Sequence, residues 1–260
     1  MRAPSLTALL ALLIPLLAAC SSSGHWYFSG DDEHHDWSYL GETGPDHWGS
    51  LSADYALADS GHAQSPIDLP SDAPVSSDLP PLLVDYHATD AHWVNNGHSL
   101  QHDEDGTENF LRWGGVNYEL AQYHLHTPSE HTIDGLHAAA EVHLVHKNEA
   151  GQVLVLAVLV VEGDERTDLL VEIDRLPMNP GDESDLSEVR DPRSMLPADL
   201  SYWTYDGSFT TPPCTEGVTW IVLREKAVRP EALLRRLGEI LGRNNRPIRP
   251  LNGRVVTASD

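Results

Sequence analysis

The densest chemistry in this chain lies in QYHLHT, Gln122 to Thr127, where His124 and His126 flank a single leucine. On an extended strand alternate residues share a face, so both imidazoles point one way and Leu125 the other. About 7 Å separates two such positions along a strand, within reach of one shared ion. A second extended run, AAAEVHLVHK, sets Glu141, His143 and Val145 on one face. An adjacent strand can bring His143 beside the first pair, giving three neutral nitrogen donors. Three protein ligands with a fourth position left to water is how catalytic zinc is held, whereas structural zinc is closed by four. No cysteine lies near these runs, which points the same way. Gln122 and Glu141 each precede a candidate ligand by two residues, where a side chain can fix the ring's tautomer and direction.

Such donors need strands to hold them. LLVDYH, AHWVNNGHSLQH, GVNYELAQYHLHT, WTYDGSFT and VTWIVLR mix β-branched and aromatic residues with polar ones between turn signals. VLVLAVLVVEG is almost wholly apolar, the pattern of a strand buried on both faces. Two stretches carry helical spacing. DERTDLLVEIDRL places Leu169, Leu170, Ile173 and Leu176 on one stripe. RPEALLRRLGEIL starts with Pro230 in its first turn and repeats Leu233, Leu237 and Ile240. The acidic, proline-rich LPMNPGDESDLSEVRDPRSMLPADL reads as a surface loop. The fold class is mainly β with a few peripheral helices.

The N-terminus is not part of that fold. MRAPSLTALLALLIPLLAAC has one early cation, Arg2, and an apolar run too short to span a bilayer, which takes roughly 20 residues. It reads as an export signal. LAAC at its end resembles the bacterial lipoprotein box, which implies lipidation of Cys20 and a membrane anchor at the periplasm or cell surface. The organisation is therefore a signal over 1–20, a polar tether over 21–36 and one domain over 37–260. Export means an oxidising compartment, yet Cys214 is the only other cysteine, so no internal disulfide staples the domain. The formal net charge is −24, and Lys147 and Lys226 are the only lysines. A surface this acidic excludes nucleic acid as partner, because phosphate binding needs clustered Lys and Arg. Few lysines with many acids suits work in high salt, where screening relieves self-repulsion; an ordinary acidic protein is the alternative.

Further motifs now line up. QSPIDL (Gln64–Leu69), GETGPDHWG (Gly41–Gly49), NNGHS (Asn95–Ser99), SEH (Ser129–His131), AAAEVHLVH (Ala138–His146), SFTTPPCTEGVTWIV (Ser208–Val222) and RPIRPLNGR (Arg246–Arg254) together resemble the α-class carbonic anhydrases. The resemblance runs from about Trp37 to Arg254. It implies a large, twisted, mostly antiparallel sheet with zinc at the base of a conical cleft, and hydration of carbon dioxide to bicarbonate. It implies that His124, His126 and His143 bind Zn2+, with Gln122 and Glu141 orienting two of them. By the same resemblance Thr210 accepts a hydrogen bond from zinc-bound hydroxide, and Glu130 receives the Thr210 proton. His98 becomes the proton shuttle, with Tyr39, Asn96 and Gln101 ordering the water that feeds it. Val145, Val155, Val218 and Trp220 form the apolar wall for carbon dioxide, with Thr211 beside it. Sulfonamides and anions are the implied inhibitors. The remaining histidines, His25, His34, His35, His87 and His102 among them, read as surface residues.

Two departures stand out. Exported bacterial relatives carry YALC, whose cysteine pairs with that of TPPC; here YALA puts Ala58 there, leaving Cys214 a free thiol. Phe209 precedes TTPP where the family usually has leucine, so a larger ring can narrow the cleft and slow turnover. A carbonic-anhydrase-like adhesion lipoprotein is the rival reading, but that kind loses zinc histidines and this chain keeps all three. A zinc-binding lipoprotein, suggested by DDEHHDW, lacks a convergent framework.

Overall fold

The computed structural model describes residues 37–90, 92–104, 106–163, 175–185 and 189–260. The export signal, Cys20, the tether and most of the helix expected over 164–176 lie outside those residues.

The strands are β1 (Asp68–Leu69), β2 (Leu83–Asp85), β3 (His92–Asn95), β4 (Leu100–Asp103), β5 (Phe110–Trp113), β6 (Val116–His126), β7 (Thr132–Ile133) and β8 (Leu136–His137). They continue with β9 (Ala140–Lys147), β10 (Val153–Glu162), β11 (Glu183–Asp185), β12 (Tyr202–Ser208), β13 (Glu216–Leu223), β14 (Ala227–Arg229) and β15 (Thr257–Ala258). The helices are short: α1 (Trp48–Leu51), α2 (Leu57–Ser60) and α3 (Glu231–Leu241). One 12-stranded sheet runs β11-β3-β4-β6-β9-β10-β13-β12-β15, with β5 and β2 off β6 and β14 off β10. Its pairs are antiparallel except β10 with β13 and β14. The mainly β reading therefore holds, in a large mixed sheet. Among the described residues no helix is long and apolar enough to cross a membrane.

The apolar run of β10 sits at the centre, as its sequence demands. Leu154, Leu156, Val158 and Val160 enter one core, while Val155, Ala157 and Leu159 enter another on the opposite face. Each of these Val and Leu side chains contributes about 1.5–3 kcal/mol on full burial, and both faces benefit at once. The first core takes Leu233 and Leu237 of α3. Pro230 caps that helix from outside, one residue ahead of the expected first turn. The second core lies on the histidine side of the sheet.

Two expectations need correction. The acidic connection is not all loop: Glu183–Asp185 pairs with β3, and Met195 is fully buried in a turn whose Asp191 side chain accepts from the Arg193 N–H. Edge pairing and buried apolar anchors, Leu176 and Met195, hold a segment whose composition suggested solvent. His102 is not a surface residue either. Alternation along β4 turns it inward with Leu100, and Nε2 lies 3.1 Å from Oε1 of the fully buried Glu104. Thr89 and Asn109 also donate to that carboxylate, at 2.7 and 3.0 Å. Burial raises the Glu104 pKa, but the hydrogen bonds from His102 and Thr89 outweigh it and hold the group below its usual value. His87 is exposed, as expected.

Candidate metal centre

β6 does not keep one phase along its length. Tyr118 and Leu120 face the first core, and so do Tyr123 and Leu125, which strict alternation forbids. The pairing with β9 slips between Leu120 and Gln122, leaving Ala121 as an extra residue. A one-residue slip exchanges the faces of a strand. It is this bulge that turns Gln122, His124 and His126 out of the first core.

Register then assembles the site. His124 lies directly opposite His143, and His126 opposite Glu141. The ring centroids are 5.0 Å apart for His124–His126, 5.1 Å for His124–His143 and 4.6 Å for His126–His143. One nitrogen from each ring lies within 4.8 Å of the other two. The remaining nitrogens are occupied. His124 Nδ1 lies 2.7 Å from Gln122 Oε1, His126 Nδ1 2.7 Å from the Asn244 carbonyl, and His143 Nε2 2.8 Å from Glu141 Oε1. That leaves His124 Nε2, His126 Nε2 and His143 Nδ1 facing one another, and His126 Nε2 is buried without a partner. Burying a polar atom unpaired is costly, so this orphan marks where a cation fits. Burial, then the neighbouring rings, depress the His124 pKa far below its ordinary value. Burial dominates at His126 too, where the pull of Glu130 is not enough to offset it. Both rings are therefore neutral at physiological pH, the form that ligates a metal.

Glu141 is the most heavily engaged group. Its Oε2 accepts from the backbone N–H groups of Glu130 and His131, both at 2.8 Å, and His131 Nδ1 lies 2.7 Å from Oε1. Burial raises its pKa, but attraction to His131 and His143 and their hydrogen bonds hold it well below the carboxylate range. Sequence reasoning found Gln122 and Glu141 but missed His131 and Asn244. SEH already carried the first; a backbone carbonyl carries no side-chain signal at all.

Glu130 and Thr210 are both buried. Glu130 Oε1 accepts from the Arg246 backbone N–H at 2.8 Å, while Oε2 is buried without a partner, 3.7 Å from His126 Nε2. The implied bond from Thr210 is thus not formed at that oxygen. Val145, Val155, Val218 and Trp220 share the second core, and Phe209 packs against it. Register explains the grouping, since Val145, Val155, Trp220 and Tyr205 lie side by side across four strands. Thr211 is half-buried, and its carbonyl accepts from the Cys214 N–H at 2.9 Å.

His98 lies on the β3–β4 turn, stacked on Trp37 with centroids 3.7 Å apart and planes 8° from parallel. Asn96 shapes that turn: its Oδ1 accepts from the His98 and Ser99 N–H groups, and its amide donates to Gln101 Oε1. Tyr39 packs edge-on against Trp37 and Trp48 with its hydroxyl buried and unpartnered.

Cys214 is a free, fully buried thiol beside Ala58 and Trp48, its pKa pushed up to about 11 by burial. The fully buried Arg246 links the segments a disulfide would have joined. It donates to the Ala58 carbonyl at 2.9 Å, Ser65 O at 2.7 Å and Gln64 Oε1 at 2.9 Å, and Gln64 donates to the Cys214 carbonyl at 3.0 Å.

Fold and site define a class: a large β-sheet protein with a pocket of three imidazoles fit for one metal ion. A family model described as eukaryotic-type carbonic anhydrase matches residues 43–260, and the chain belongs to that family. A carbonic anhydrase of Klebsiella pneumoniae is 40% identical over 222 residues, covering 85% of this chain and 89% of that protein. One from Neisseria gonorrhoeae is 37% identical, covering 97% of this chain and 96% of that one. The solved structure of the Thermovibrio ammonificans α-carbonic anhydrase, in complex with the inhibitor sulfanilamide, has 39% identity. It aligns with a TM-score of 0.82, over 85% of this chain and 98% of that chain. The chain is an enzyme of this type, and the adhesion reading is not favoured.

Proposed function

We propose that His124, His126 and His143 hold one Zn2+ and that the chain uses it for the reversible hydration of carbon dioxide to bicarbonate and a proton. One observation carries this reading: three nitrogens converge on a common point while the opposite nitrogen of every ring is already engaged. Bound there, zinc supplies a Lewis acid that lowers the pKa of a coordinated water to about 7. The protein's own part is positioning. Three neutral imidazoles leave the cation's charge undiminished, as a carboxylate ligand would not. Glu130 is fixed by the Arg246 N–H, and its unpartnered Oε2, which Thr210 does not reach in this structure, is the acceptor that the family resemblance gives to the Thr210 proton. Thr210 can then only accept from the attacking oxygen, which aims that nucleophile at the substrate. Val145, Val155, Val218 and Trp220, with Phe209 and Thr211 at their side, offer carbon dioxide a dry apolar wall. His98 carries the proton outward, since an imidazole accepts and releases protons near neutrality. Tyr39, Asn96 and Gln101 order water on that path.

The exported, acylated N-terminus at Cys20 tethers the catalytic domain to a membrane, and the acidic surface adapts it to salt. Supporting these are the LAAC motif and the net charge of −24. The resemblance to the sulfanilamide-bound structure makes sulfonamides the inhibitors to try first. Zinc analysis alongside stopped-flow carbon dioxide hydration tests the central reading. We expect one zinc per chain, with activity lost on chelation and regained with zinc. Undiminished hydration by a zinc-free chain would refute it.

A further inference from the structure

A buried chain of hydrogen-bonding side chains runs from the metal pocket to the segment that carries Phe209 and Thr210. It starts at Glu141 Oε1, shared by His143 Nε2 and His131 Nδ1. His131 Nε2 lies 2.7 Å from the Tyr205 hydroxyl, which donates to Ser65 Oγ at 2.9 Å. Ser65 Oγ accepts from the Ser208 N–H at 3.1 Å, and the Ser65 N–H donates to Ser208 Oγ at 3.0 Å. The Ser208 carbonyl takes the Trp220 indole N–H at 3.0 Å. Every link is buried.

The ladder is irregular at this end of β12 and resumes only with Ser208 opposite Glu216 and the Phe209 N–H donating to the Thr215 carbonyl at 3.0 Å. The pairing of β12 with β13 slips between Gly207 and Ser208, immediately before Phe209 and Thr210. A bulge removes regular pairing and re-aims the chain. Ser65 fills the break at close range: a Cβ on Gly207 would come within 2.1 Å of Ser65 Oγ and 2.7 Å of Trp220 Cδ1. The backbone can approach only because residue 207 is glycine.

We propose that Ser65 and Tyr205 are positioning residues that lock the orientation of His143 to the placement of the Thr210 segment. The proposal rests on the reading of the triad as a zinc site. His143 is set by the β6–β9 register, and Thr210 lies beyond a broken register. The His131–Tyr205–Ser65 chain joins the two into one unit, and a satisfied buried network of this kind rigidifies what it spans.

The test uses the zinc-loaded full chain. Tyr205→Phe deletes one hydroxyl and keeps the ring. Partners in direct contact with a metal-bound histidine cost about 10–100-fold in affinity when lost. One link further out, zinc release to a chelator is expected to quicken by about threefold to tenfold. The visible spectrum of the cobalt-substituted enzyme should shift with it. In a Glu141→Gln background Tyr205→Phe should add nothing more, because the chain is already cut. Val222→Ala, in the same apolar core, should lower the melting temperature without changing zinc release. Should Tyr205→Phe fail to fold, Ser65→Ala is read against the same expectations. A Tyr205→Phe enzyme that melts lower yet keeps the parent's zinc release and cobalt spectrum overturns the coupling, as does strict additivity with Glu141→Gln. A parent chain that binds no zinc overturns the metal reading and the coupling with it.

Discussion

His124, His126 and His143 stand in the middle of a continuous ladder, whereas His98 stands on a turn and leans on Trp37. Each triad ring is held twice, by strand register and by a partner on its outer nitrogen. The His98 ring lies on one aromatic face, and its backbone is held by Asn96 and by the Asn244 amide, which donates to the His98 carbonyl at 3.0 Å. Ligands must converge to within tenths of an ångström, and neighbouring strands supply that precision. The proton-carrying role proposed for His98 requires reaching two partners in succession, and its turn lies outside the register that fixes the triad. Asn244 touches both regions, since its carbonyl also meets His126 Nδ1.

Several variants would break or sharpen this contrast. His126→Ala should act hardest, abolishing zinc binding and hydration together, as zinc analysis and stopped-flow assay will show. Glu141→Gln should come next, weakening zinc by about 10–100-fold in a chelator competition; an unchanged affinity would deny the ladder side its second restraint. His98→Ala should leave zinc content intact while turnover in dilute buffer falls by about 10²-fold or less. Added imidazole should restore part of that loss. If His98→Ala also loses zinc, the two regions are not separate.

Acid should weaken the fold through its buried neutral rings, His124 and His126 in the site and His146 outside it, whose pKa burial lowers to about 3. His124 and His126 stay neutral when folded, below their ordinary pKa of about 6.5. The unfolded chain therefore binds more protons as pH falls through about 6.5, and stability rises with pH across that window and levels off above it. Melting the metal-free chain across pH 5–8 checks the sign; a flat profile would contradict buried neutral rings. The smallest effect belongs to Phe209→Leu, expected to raise turnover by less than about tenfold through a wider apolar wall. No acceleration would mean that the ring does not obstruct the substrate.

Much of the site could be read before folding was considered. Strand alternation placed Gln122, His124 and His126 on one face, and Glu141, His143 and Val145 on another. The run at β10 announced a strand buried on both sides. What escaped notice was long-range or carried no side-chain identity. Arg246 donates to Ala58 across 188 residues, and Asn244 meets His126 through its carbonyl across 118. His102 looked like a surface residue because its buried partner Glu104 is itself held by Thr89 and Asn109, contacts that only the folded chain makes.

Residue types and two-residue spacing are local quantities, so the primary structure alone set which imidazoles exist and which neighbours share their face. Whether those faces meet was settled by the bulge at Ala121 and by the pairing of His124 with His143. Ser208, two residues before Thr210, is held by Ser65 reaching across 143 residues and by pairing with Glu216. Those outcomes depend on strand slippage and on backbone donors and acceptors that every residue shares. No pattern of side chains can declare them before the sheet is assembled.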